Sequence, residues 1–162
     1  MSYASSDEIR GVLIQSGAER VLLPNATVAE MMSRVDVEPV QDAPQWLLGE
    51  LAWHGWKVPL LSFAMLSGLG RETTTTTHNK VVVLKSLAGD PQRPYLALLT
   101  QSFPQLISVP RDGLLADASE EMLPPTVHMR VLLGEHSALL PNLDALDAAL
   151  ASLPHRPEPV SP

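Results

Sequence analysis

Fifteen prolines in 162 residues, at positions such as Pro24, Pro39, Pro44, Pro59, Pro91 and Pro94, constrain this chain more than any other feature. Proline lacks an N–H and its ring clashes with the preceding helical turn, so few long helices fit between these positions. Short strands become the expected element. Aromatics make up only 4% of the chain against 45% apolar residues, so the core must be built from Leu, Val, Ala and Met. A chain of this length buries such a core without staples, as one domain or two fused subdomains.

Residues 12–15 and 20–23 read as strands around Ser16, Gly17 and Ala18, a hairpin. Thr27 and Glu30 are then spaced as a capping box, with Val28, Met31 and Met32 on one helical face, which predicts one or two helical turns. Residues 35–40 alternate as an exposed strand. A second hairpin runs through 51–53 and 57–63, with Gly55 able to take positive φ at its tip. Pro59 cannot donate to a ladder, which predicts an edge position or a strand start. Residues 64–69 read as a short helix ended by Gly70, and the five threonines of 73–77 as a mobile loop.

The halves are therefore expected to divide near 70–80. Further strands follow at 80–84, 95–100, 106–109, 127–133 and 138–140. Asn142 is a plausible N-cap for a last helix carrying Leu143, Leu146, Leu150 and Leu153. Residues 1–8 and 154–162 are expected to be flexible tails, the latter with four prolines in nine residues. The strand, Gly-containing turn, strand and helix of 51–66 recur at 131–146, eighty residues on, which favours two similar small barrels over one large sheet.

Several chemistries lack their residues. There is no cysteine, which removes disulfides and thiolate sites and fits a reducing, cytoplasmic setting. Neither a secretory h-region nor a membrane-length apolar run is present. A net charge of -7 with scattered cations repels a nucleic-acid backbone. The five histidines show no metal-ligand spacing, Ser62 lacks a nucleophile-elbow pattern, and Gly68-Leu69-Gly70-Arg71 lacks the Lys-Ser or Lys-Thr of a phosphate loop. Trp53 and Trp56 lie at opposite parities around the turn, which allows one ring in the core and the other exposed as an interface anchor, while the usual burial of tryptophan favours both being packed. Trp46, after Pro44, is a candidate surface aromatic.

The stretch 49–63, Gly-Glu-Leu-Ala-Trp-His-Gly-Trp-Lys-Val-Pro-Leu-Leu-Ser-Phe, resembles the signature of the CheW family, with Gly49, Gly55, Val58 and Pro59 in register. Upstream, Leu22-Leu23-Pro24 and Val28 with Glu30 and Met31 resemble the family's apolar strand end and its Val-x-Glu-Ile run. The resemblance covers residues 9–152, and its specific part is 22–63. It implies an all-β fold: two small SH3-like five-stranded β-barrel subdomains, intertwined in one domain, with short helices and a C-terminal helix. It further implies a non-catalytic adaptor, with no cofactor, that couples the cytoplasmic tip of a chemoreceptor to the regulatory domain of a CheA-type histidine kinase. Val28, Glu30, Trp46, His54 and Trp56 are the residues expected to meet partners. His54 stands at the family's arginine, Ala52 at its asparagine and Ser62 at its aspartate, departures that mark a divergent member such as an accessory coupler of pilus-linked systems.

Two rival readings come from other classes. Small barrels also bind oligosaccharides or nucleic acids, although an acidic chain without a basic aromatic face argues against the latter. A small hydrolase would use His54 or His78 with a nearby carboxylate, and nothing in the sequence assembles an acid, a base and an oxyanion hole.

Overall fold

The computed structural model describes residues 8–75, 78–87, 91, 93–110, 114–116, 123–133 and 136–153. The expected tails at 1–7 and 154–162 lie outside these residues, as do Thr76 and Thr77 of the threonine run, whereas residue 8 already belongs to a strand. In order, the strands are β1 (Glu8–Ser16), β2 (Glu19–Pro24), β3 (Val28–Val35), β4 (Leu47–Trp53), β5 (Trp56–Leu61), β6 (Asn79–Lys85), β7 (Tyr95–Thr100), β8 (Gln105–Pro110), β9 (Leu114–Ala116), β10 (Val127–Leu133) and β11 (His136–Pro141). Two helices follow hairpins: α1 (Phe63–Leu66) after β5, and α2 (Leu143–Ala151) after β11. The all-β expectation holds.

The strands form two sheets, one ordered β3-β6-β7-β5-β4 and the other β8-β1-β2-β11-β10-β9. Each is built on one plan: an antiparallel hairpin joined to a second hairpin through one parallel pair, β5 with β7 and β11 with β2. Residues 70–80 do not divide the sheets, because β6 and β7 pair with β3 and β5 on the far side of that segment. The second sheet instead takes its β1–β2 hairpin from the N-terminus and its other strands from the C-terminal part of the chain. A turn pattern marks where the chain bends, and only strand pairing decides which sheet it joins.

Continuous apolar runs follow from burial on both faces. Val82, Leu84, Leu96 and Leu98 face a core shared by both sheets, with Val12, Ile14, Val21, Leu23, Leu139 and the helix residues Phe63, Leu146 and Leu150. The alternate residues Val81, Val83, Ala97 and Leu99 fill the inside of the β3–β7 barrel with Val35, Leu51, Val58 and Leu60. Leu22, Val131 and Ala138 do the same for the other barrel.

The first barrel closes after β3. Glu38 and Glu50 exchange backbone hydrogen bonds of 2.8 Å, so residues following β3 pair with β4 at the far edge of the sheet. Gly49 makes this possible: a Cβ there would lie 2.4 Å from the Glu38 carbonyl oxygen, and its φ of 151° suits glycine.

Three local expectations are corrected. Residues 28–35 form a strand rather than helical turns, preceded by one 3-10 turn at Asn25–Thr27. Thr27 donates its hydroxyl to the Pro24 carbonyl instead of capping a helix, and pairing with β6 supplies the ladder that overrides helical spacing. Of residues 35–40, only Val35 lies in a strand, and Glu38 makes the single closing bridge. Pro59 sits in an interior strand, where the ladder to β7 begins one residue later at Leu60.

Candidate partner-binding surface

The β4–β5 hairpin turns through two residues, His54 and Gly55, both at positive φ of 48° and 81°. Such a turn matches the right-handed twist of the strands and fixes their register, which sets Trp53 opposite Trp56. Cross-strand partners share a face. The two rings therefore lie on the same side rather than on opposite ones: parity along the sequence fails because the chain reverses between them. Trp53 packs its ring against the barrel interior, and Trp56 remains 39% exposed.

Both indoles meet Tyr95 at the start of β7, edge to face, with ring centroids 4.7 Å and 6.2 Å away. From β3, the Glu30 carboxylate reaches the same place. Trp53 Nε1–H donates to its Oε2 at 3.2 Å, and His54 Nε2 lies 3.8 Å from its Oε1. His54 also stands edge to face against Trp53 at 4.5 Å. The Trp53–Glu30 bond ties β3 to β4, the two outer strands of the sheet, so the feature that completes the barrel wall also organises its rim. Met31, 40% exposed, follows Glu30 on β3.

Of the five residues the sequence singled out, three gather here: Glu30, His54 and Trp56. Val28 and Trp46 do not. Both are half-buried and pack against the shared core, and the Trp46 carbonyl accepts the Ser62 N–H at 2.9 Å, so its role as a surface aromatic is not what its loop position suggested. Trp53 belongs to the cluster through its bond to Glu30. Tyr95 was missed, because it is a strand's first residue thirty-nine positions beyond Trp56 and only tertiary pairing brings it near. The hairpin itself was readable from Gly55 at its tip, whereas its register, which pairs Trp53 with Trp56, was not.

Ser62 caps α1, accepting the Met65 N–H at 3.2 Å. Serine and aspartate both serve as N-caps, so the serine at this signature position is a residue type suited to the cap it makes here. Among the described residues, no group of three or more His, Asp or Glu side chains is placed to hold a metal ion. A recess of about 300 Å³, lined by Val40, Pro44, Leu47 and Leu153 among others, contains none of the five predicted residues. No helix of the described residues is long and apolar enough to cross a membrane.

Two small barrels that share one core and carry an aromatic rim define the chain as a two-barrel SH3-like protein. A family model described as the CheW-like domain matches residues 10–149, and the chain belongs to that family. Among solved structures it is similar to the scaffolding protein TtCheW from Thermoanaerobacter tengcongensis, at 12% identity over 83% of this chain and 89% of that one, with a TM-score of 0.68. That likeness concerns the fold. No curated protein matches the sequence.

Proposed function

We propose that this chain is a non-catalytic coupling adaptor of a chemosensory array, which holds the cytoplasmic tip of a chemoreceptor and the regulatory domain of a CheA-type histidine kinase together. The observation that carries the reading is the meeting of Glu30 and His54, from different strands but both at family motif positions, on a rim with Trp53, Trp56 and Tyr95. Partly exposed aromatic rings beside a polar group are the composition of a protein-docking anchor, since they bury large area at little entropic cost. The CheW-like match over nearly the whole described fold supports this class of partner.

His54 sets the specificity. Where the family carries a guanidinium with five donors, this chain offers an imidazole at 3.8 Å from Glu30, so fewer donors are available to a partner. A partner fitted to this rim differs from the standard one, as expected for an accessory coupler of the pilus-linked kind.

Isothermal calorimetry with a CheA-type regulatory domain and with a receptor-tip fragment tests the proposal. The expected outcome is binding of both, with Trp56→Ala weakening one of them by about tenfold or more while the fold is kept. Failure of the chain to bind any CheA-type regulatory domain or receptor tip encoded beside it overturns the reading.

A further inference from the structure

One carboxylate lies buried where the two barrels meet, away from the docking rim. Glu72 is 4% exposed, in a segment whose neighbours Gly70, Arg71 and Thr73 face solvent. Its Oε1 accepts the hydroxyls of Ser16 and Ser62, each at 2.6 Å, and its Oε2 accepts the Gln101 side-chain amide at 2.7 Å. Ser16 ends β1 in the six-stranded sheet; Ser62 and Gln101 directly follow β5 and β7 in the five-stranded one. Each hydroxyl also accepts a backbone amide of α1, from Ala64 to Ser16 at 2.9 Å and from Met65 to Ser62 at 3.2 Å. Two amide-to-hydroxyl-to-carboxylate chains thus converge on a single oxygen.

We infer that Glu72 is a latch that sets the angle between the two barrels. The shared core between them is apolar, and apolar burial is non-directional, so control of how they are turned falls to the polar bonds that cross the junction, those of Glu72 and the Gln101 N–H to Gln15 carbonyl bond among them. Hydrogen bonds to a charged acceptor are short and directional, and here they join both sheets to one side chain. Removing the carboxylate leaves two buried hydroxyl donors unpaired, which favours a turned or opened junction over the present one. The device belongs to the frame that carries the docking rim, whichever partner the rim takes.

The absence of native cysteine makes a direct test available. Arg20→Cys and Ala52→Cys place nitroxide labels at exposed positions on β2 and β4, one per barrel, for distance measurement by double electron–electron resonance. Glu72→Ala is expected to broaden the distance distribution and to speed amide exchange at Ala64 and Met65 by about tenfold or more. Leu51→Ala loosens the inside of one barrel without touching the junction, and is expected to leave the distribution unchanged. Should Glu72→Ala fail to fold, Gln101→Ala removes one solvent-facing donor and gives the same broadening at smaller amplitude. A distribution as narrow as the parent's in the variants that fold, or equal broadening by Leu51→Ala, overturns the latch.

Discussion

The two hairpin-and-helix units, β4–β5–α1 and β10–β11–α2, share a backbone plan at a constant offset of eighty residues and differ in what fills it. Leu47 N–H donates to the Pro44 carbonyl and Val127 N–H to that of Pro124, both at 3.0 Å. The bulge in each hairpin falls at the matching place, between residues 47 and 49 and between 127 and 129. Ser62 N–H donates to the Trp46 carbonyl and Asn142 N–H to that of Thr126, and each of these two residues then caps its helix. The fillings diverge. Eight buried apolar residues line the inside of the β3–β7 barrel, against three among the described residues of the other. Phe63 is fully buried where Leu143 is only partly so. Gly49 makes way for a crossing chain where Met129 packs a side chain inward. Backbone hydrogen bonds can repeat with little regard to side chains, whereas packing is solved separately at each site.

The sharpest way to break this comparison is at the first helical positions. Phe63→Ala is expected to cost about 4 kcal/mol, and Leu143→Ala about half of that, because only the first opens a cavity sealed on all sides. Urea unfolding of the two variants measures both, and equal costs would mean that the helices fill the core alike. Next comes the bulge. Gly49→Ala should destabilise by about 3 kcal/mol through collision with the Glu38 carbonyl and strain at positive φ, with the closing bridge lost from amide exchange protection at Glu50. Met129→Ala, at the equivalent position, is expected to keep the β10–β11 pairing.

The caps separate by a smaller margin. Asn142→Ala should cost about 1 kcal/mol, the usual loss of an N-cap, and Ser62→Ala about 2 kcal/mol because it also removes a bond to buried Glu72. Thermal unfolding that ranks them the other way would argue against the shared carboxylate. The smallest effect is expected at the rim, where Glu30→Gln should change stability by no more than about 0.5 kcal/mol, since its contacts with His54 and Trp53 are solvent-exposed.

Much of this plan was legible along the chain. The Asn142 cap, the leucine spacing of α2, the hairpin at 51–63 and the eighty-residue echo all depend on residues close in sequence, and local rules reach them. Residues 28–35 were not legible in the same way: Val28, Met31 and Met32 fit a helical face as well as a strand, and the competing β6 ladder lies fifty residues away. The surface was half visible. Glu30 and His54 stand at motif positions and Trp56 was marked as a ring beside the turn, while Tyr95 carries no local mark and Trp46 carried a misleading one.

From residue order alone came the abundance of short strands, the hairpin around Gly55, and the repeated unit with its Asn142 cap, because each is settled by backbone sterics within a few bonds. Only the assembled chain could decide that the N-terminal hairpin completes the C-terminal sheet, that Glu30 reaches the hairpin tip, and that Glu72 turns inward. Those outcomes depend on which distant strands find each other, and strand pairing gains its energy from partners that neither segment encodes by itself.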